Sequence, residues 1–158
     1  MKFLIMALSA LSLAQTALAT EVIVTLSDAF ADELAETYGE REGAVLKQEV
    51  LEDIDRAFSR KGVAPTRVEI TIVKARPNRP TRAQSRANPS LDIFRSVSLG
   101  GMNLEGVAYD ADGARLAEQT YGWFENNIYN ASPAGTWSDA KRASRRFARK
   151  FADTLAAH

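Results

Sequence analysis

The stretch whose reading decides the fold is Arg95–Glu125, RSVSLGGMNLEGVAYDADGARLAEQTYGWFE. It reads as two extended arms around Asp110-Ala111-Asp112-Gly113, a turn built of residues that tolerate positive φ. Alternating apolar and polar positions flank the turn, which is the pattern of a β-hairpin. On the first arm Val97, Leu99, Met102 and Leu104 are expected to look inward, with Gly100-Gly101 shifting their spacing by one as a β-bulge does. Gly106 and Ala108 continue that face, and Val107 and Tyr109 take the other. On the second arm Leu116, Glu118, Thr120, Gly122 and Phe124 alternate with Ala117, Gln119, Tyr121 and Trp123. The arms together predict an aromatic sheet side made of Tyr109, Tyr121 and Trp123. Gly106 and Gly122 mark places where a large neighbour lies close to the backbone.

Upstream, Glu21–Leu26 (EVIVTL) is a β-branched run that reads as a strand. Ser27 is placed to cap a helical turn, and Phe30, Leu34 and Tyr38 recur at helical spacing before Gly39. From Glu40 to Lys61, Leu46, Val50, Ile54 and Phe58 recur every four residues, one apolar stripe of an amphipathic helix. Glu52 and Arg56 stand four apart in the favourable order. Gly62 ends the helix, with Arg60 and Lys61 in its last turn, where the helix dipole favours cations. Arg67–Lys74 (RVEITIVK) alternates and predicts the second strand, so strand, helix and strand form a βαβ unit. The segment 75–92, ARPNRPTRAQSRANPSLD, has three prolines and no apolar periodicity. It reads as a long connector, of the kind that is functional or mobile.

Downstream of the hairpin, Asn126–Trp137 is a turn-rich loop. Ser138 is expected to cap the last helix, with Asp139 in the first turn. Ala140, Ala143, Phe147, Phe151 and Leu155 line one face of that helix, and Arg142, Arg145, Arg146 and Arg149 form a cationic ridge on another. No internal repeat is visible. The order β-α-β-β-β-α predicts an α+β fold, a two-layer sandwich with two helices on one face of a four-stranded mixed sheet.

The first nineteen residues carry the marks of a secretory signal: Lys2, an apolar run from Phe3 to Leu13, and Ala17-Leu18-Ala19 ahead of the cleavage point. Cleavage near Ala19 predicts a periplasmic or secreted single domain spanning 20–158. That chain of about 139 residues is long enough for one hydrophobic core. It has no cysteine, so neither disulfides nor a lipid-anchor thiol contribute. The single histidine is His158, which excludes Ser-His pairs and most transition-metal sites.

Charges balance overall, with twenty basic and twenty acidic residues, but they segregate. Acids dominate from Glu21 to Asp55 and bases from Arg60 onward. Two opposite helix faces lying side by side would account for this. A basic surface for an anionic partner is the sharper reading.

No catalytic, cofactor or metal constellation emerges. Asp110-Ala-Asp-Gly lacks the later ligands of a calcium loop and is explained as a turn. Glu105 and Glu118 resemble a cross-strand carboxylate pair, the basis of a hydrolase alternative that would also draw on Glu125. Gly100-Gly101 precedes no helix and is no phosphate loop. Asn130-Ala131-Ser132 is an acceptor sequon with Pro133 behind it.

Four segments then carry a resemblance: the helix LKQEVLEDIDRAFSRKGV, the strand VEITIVKARPNRP, the hairpin GGMNLEGVAYDADGARLAE and the closing helix TWSDAKRASRRFARKFADTL. In these the chain from 21 to 157 resembles exported α+β domains of unknown function from Gram-negative bacteria, several of them lipoproteins. Its layout is similar to the N-terminal domain of TolB-like envelope proteins. It departs from the lipoprotein members in having no anchor cysteine. The resemblance implies an envelope setting and transfers no catalytic residue.

The sequence thus points to a non-enzymatic binding or envelope-assembly domain without cofactor. Its expected protein-partner surfaces are Arg76, Arg79, Arg82 and Arg86 of the connector, and Tyr109, Tyr121 and Trp123 of the sheet. The alternative is an anion-binding protein acting through Arg142, Arg145, Arg146 and Arg149 on lipopolysaccharide, acidic lipid or nucleic acid. Export argues against nucleic acid.

Overall fold

The computed structural model describes residues 19–131 and 134–157. The expected leader lies outside the described residues apart from Ala19, as do Ser132, Pro133 and His158. Among the described residues no helix is long and apolar enough to cross a membrane.

Strands β1 (Glu21–Leu26), β2 (Arg67–Arg76), β3 (Gly101–Tyr109) and β4 (Arg115–Phe124) form one sheet in the order β1-β2-β3-β4. β1 pairs with β2 in parallel, and the other two pairs are antiparallel. Parallel pairing needs a crossover. It is supplied by α1 (Asp28–Glu33), a π-helical turn (Leu34–Tyr38) and α2 (Glu40–Lys61). Ser27 caps α1, its hydroxyl accepting from Phe30 N and donating to Val73 O. Gly62 closes α2 in the left-handed conformation that suits a residue without Cβ. A short helix, α3 (Arg82–Ala87), stands between β2 and β3. The last helix, α4 (Ser138–Ala156), lies beside α2 on the same sheet face. The α+β sandwich with a four-stranded mixed sheet is the observed fold.

The core lies between that face and the two helices. Val68, Ile70, Ile72, Met102, Leu104 and Ala108 of the sheet meet Leu46, Val50, Ile54 and Phe58 of α2, and Phe147 and Phe151 of α4. Gly106 is where α4 comes closest. A Cβ there would sit 2.8 Å from the Phe147 ring and 2.9 Å from the Phe151 ring. Gly122, by contrast, faces the side chain of Asn103 on the opposite sheet face, not a ring or a helix.

Several expectations are corrected. The first hairpin arm begins at Gly101, so 95–100 is not strand, and Val97 is exposed rather than inward. The register shift falls at Val73 of β2, not at Gly100-Gly101. The extra residue there returns Ala75 to the core face, where it is fully buried. The connector is shorter than its sequence suggests. Ala75 and Arg76 belong to β2, and Arg82–Ala87 is helical. Thr81 and Gln84 make a reciprocal capping box at the start of α3, a local signal that the prolines obscured.

Asn78 explains how a proline-rich segment is held. It is fully buried. Its backbone N–H donates to Thr136 O (2.6 Å) and its carbonyl accepts from Ser98 N (2.8 Å). Its side-chain Oδ1 accepts from Asp139 N (2.7 Å), and its Nδ2 donates to Ser98 O (3.2 Å) and to the Asp139 carboxylate. Asn78 therefore does the capping that Ser138 was expected to do. Trp137 is the N-cap residue of α4 and offers no capping bond, its indole N–H donating instead to Glu42 Oε2 (2.7 Å). The Ser138 hydroxyl donates to Gly135 O instead. The orphan N–H groups of a helix start need some acceptor, and here one comes from sixty-one residues away.

Candidate anion-binding groove and the neighbouring loop

The aromatic sheet side does not exist as one surface. Tyr121 pairs with Leu104 and Trp123 with Met102, which puts both on the helix-covered face. Tyr109 points to the opposite face, where its hydroxyl donates to Glu69 Oε2 (3.2 Å) and the Arg67 guanidinium lies 4.5 Å from its ring centre. The alternation along each arm is as expected. The inter-strand register, which sequence does not state, decides which alternating sets share a face.

What covers Tyr121 and Trp123 is the cationic side of α4. The Arg146 and Arg142 guanidinium carbons lie 4.7 and 5.4 Å from the Trp123 ring centre, and Lys150 Nζ lies 5.8 Å from that of Tyr121. Cation–π contacts of this kind hold a guanidinium in place without neutralising it.

α2 and α4 run parallel. Contacts advance together along both: Lys141 with Glu49 (2.6 Å), Phe151 edge-on to Phe58 (5.7 Å between ring centres), and Lys61 with Asp153 (2.6 Å). The acidic stretch of α2 and the basic one of α4 are therefore neighbours, with ion pairs at either end. Between those ends the two helices enclose a groove of about 320 Å³. Arg142, Arg145, Arg146 and Arg149 line it from α4, and Asp53, Arg56, Ala57 and Arg60 from α2. A smaller cavity of about 230 Å³ shares Ala57, Arg60 and Arg149 with it and reaches Lys61 and Asp153.

The structure brings all four anticipated α4 arginines together and adds Arg56 and Arg60. Their contribution was masked by local readings, as the partner of Glu52 and as a helix-end cation. In fact Arg56 pairs with Asp53 (2.8 Å), and Glu52 accepts from Gln48 (3.0 Å). Arg145 lies 4.0 Å from Glu49 and Arg142 3.5 Å from Asp139. The Arg60 and Arg149 side chains make no hydrogen bond or ion pair among the described residues, although the Arg149 charge acts on the Asp153 carboxyl.

Asp53 forms part of the floor and is almost fully buried. Burial pushes its carboxyl above the ordinary carboxylate value. The Ser144 hydroxyl opposes that shift, the Glu49 charge adds to it, and Arg145 and Arg56 oppose it. Ser144 lies near enough to act on Asp53, yet neither Ser144 Oγ nor Asp53 Oδ2 completes a hydrogen bond. A contact outside hydrogen-bonding geometry satisfies neither partner, so both atoms stand unsatisfied.

The connector arginines do not cluster. The Arg76 guanidinium lies 4.7 Å from the Phe124 ring centre, and Arg79 Nη1 donates to the carbonyls of Ile93 and Phe94. Arg82 and Arg86 are exposed on α3. A cavity of about 470 Å³ lies beside them, lined in part by Tyr38, Pro77, Pro80, Leu91 and Leu99. Tyr38 packs edge-on to Trp137 and donates to Glu33 Oε1 (3.1 Å). Its phenol is pushed up to about 12, first by burial and then by the Glu33 charge. It stays neutral and serves packing.

The remaining candidates have structural roles. Asp110 Oδ1 accepts from Asp112 N (2.9 Å) and Ala114 N (2.8 Å), closing the turn. Glu105 lies opposite Thr120 and Glu118 opposite Val107, so the two carboxylates are diagonal rather than paired. Glu125 Oε1 accepts from the backbone of Asn126 and Asn127. Ser138-Asp139-Ala140-Lys141, which the sequence reading did not single out, has the Ser-x-x-Lys spacing of a nucleophile and base. Ser138 is turned to Gly135 O and Lys141 to Glu49, so the two are engaged apart.

The chain matches no protein-family model, no curated protein and no solved structure.

Proposed function

We propose that this protein is an exported, non-enzymatic binding domain whose principal site is the α2/α4 groove and whose ligand is an anion. One observation carries the reading: six arginines from two helices line one groove, and among the described lining residues the one carboxylate is the buried Asp53. Cations confined together in this way repel one another, and an anion relieves that repulsion. Arginine suits the role, since its planar fork binds phosphate or carboxylate through two parallel hydrogen bonds. The leader-like start of the sequence supports export, and the resemblance to envelope domains supports the same setting.

The test uses the chain lacking its leader on a heparin column. Wild type should be retained and elute with salt, because screening weakens such contacts steeply. The double variant Arg145→Glu/Arg149→Glu should pass through unretained with an unchanged melting temperature. Equal retention of wild type and variant would refute the reading.

A second reading, contact with an envelope protein through the connector, is favoured by the exposure of Ile93, Phe94 and Val97 beside it. Phe94 is 78% exposed. That contact should survive the double charge reversal.

A further inference from the structure

Resting on the anion-binding reading, we infer that the groove takes a linear oligoanion, a flexible chain of successive phosphate or sulfate groups without nucleobases, and not a single anion. The reason is the arrangement of its cations along the groove axis.

α2 and α4 run parallel with Glu49 level with Lys141 and Lys61 level with Asp153. The same offset sets Arg56 level with Ala148 and Arg60 level with Ala152. Ranked along the axis, the guanidinium-bearing positions run Arg142, Arg145, Arg146, Arg56, Arg149 and Arg60. At the rise of an α-helix that ladder spans about 15 Å from first to last. An isolated phosphate or sulfate reaches two or three adjacent rungs and leaves the rest repelling one another. A chain bearing a charge every few ångströms reaches all of them. A second cavity adjoins the groove in that direction, sharing Ala57, Arg60 and Arg149 with it.

The rungs differ in how firmly they are held. Arg142 and Arg146 are set over Trp123, Arg145 is near Glu49, and Arg56 is held by Asp53. The Arg60 and Arg149 side chains, at the far end, have neither an ion pair nor a hydrogen bond among the described residues. A ligand extending to that end meets Arg60 and Arg149, with the Asp153 carboxylate beside them already engaged by Lys61.

The same geometry disfavours single-stranded nucleic acid. Sites for it combine a basic track with exposed rings on which bases stack. Among the described residues no ring lines the groove, and Trp123 beneath Arg142 and Arg146 has its face occupied by them.

Calorimetric titration of the chain lacking its leader tests this with orthophosphate, pyrophosphate, tripolyphosphate and a polyphosphate of about ten units. A sulfated oligosaccharide and a deoxyoligonucleotide, each of similar charge to the longest chain, complete the set. Affinity should rise at least tenfold from pyrophosphate to the longest polyphosphate, and the salt slope should steepen as more cations are engaged. Arg60→Ala/Arg149→Ala should remove most of that gain and change pyrophosphate binding less than threefold. Comparable binding of polyphosphate and sulfated oligosaccharide would show that charge spacing is recognised; a preference for one would name the source of the chain.

Equal affinity for short and long chains, or the same loss for both in the double variant, overturns the oligoanion inference and leaves the anion site standing. Tighter binding of the oligonucleotide than of polyphosphate also overturns it. Binding of no probe at all overturns the groove reading itself.

Discussion

Two arginine-rich regions of this molecule use the same side chain in opposite ways. In the connector and β2 end, Arg76 covers a phenyl ring and Arg79 binds two carbonyls, so the guanidinium groups serve the fold. Between α2 and α4, six arginines line one groove, four from α4 and two from α2. Arginine density in sequence did not separate the two. The difference lies in what carries them: Arg76, Arg79, Arg82 and Arg86 sit on a strand end, a loop and a short helix, while two parallel helices repeat theirs along one line.

The comparison can be broken most sharply at Asn78. Asn78→Ala removes the side-chain bonds to Ser98 and Asp139, leaving a helix N–H without an acceptor and the buried Asp139 carboxylate with only its Arg142 ion pair. A loss of about 3 kcal/mol in urea-induced unfolding is expected, from several buried polar groups left unsatisfied. A loss under about 0.5 kcal/mol, the range of ordinary surface substitutions, would mean the connector is not anchored there. Heparin retention of the folded fraction should be unaffected.

A smaller, pH-dependent effect is expected at the groove floor. The folded-state pKa of Asp53 is raised above the unfolded one. The folded state therefore holds the proton more tightly. The resulting stability is present below the unfolded carboxylate pKa and is lost as pH rises through the raised folded value. Asp53→Asn carries no such titration. Its stability relative to wild type should increase as pH is raised through the acid range, in denaturation curves measured at several pH values. A constant difference between the two proteins across that range would mean Asp53 titrates normally.

The smallest effect is expected for Arg82→Ala/Arg86→Ala. Both side chains are exposed on a short helix. Stability should change by less than about 0.5 kcal/mol, and heparin retention should hold. Lost retention would place the anion site on the connector instead of the groove.

Much of the architecture could be read locally. The stripe Leu46, Val50, Ile54, Phe58 announces α2, and Gly62 ends it at the residue where the structure does. Asp110 to Gly113 announces the turn. Where the reading failed, a non-local contact had displaced the local one. Ser138 looked like a cap until Asn78 supplied the acceptor. Glu52 looked like the partner of Arg56 until burial of Asp53 drew that arginine to itself.

The candidate site divides the same way. Periodicity along α4 alone placed Arg142, Arg145, Arg146 and Arg149 on one ridge, because side-chain direction in a helix is a property of spacing. That ridge became one wall of a groove only when the parallel packing of α2 set Arg56 and Arg60 against it. Tyr109, Tyr121 and Trp123 show the converse. Alternation orders each strand within itself, but pairing register decides whether two strands present their aromatic residues to the same side. Sequence determined the elements and their faces, which depend on neighbours a few residues away. Tertiary structure decided which faces meet, which depends on packing between segments far apart in the chain.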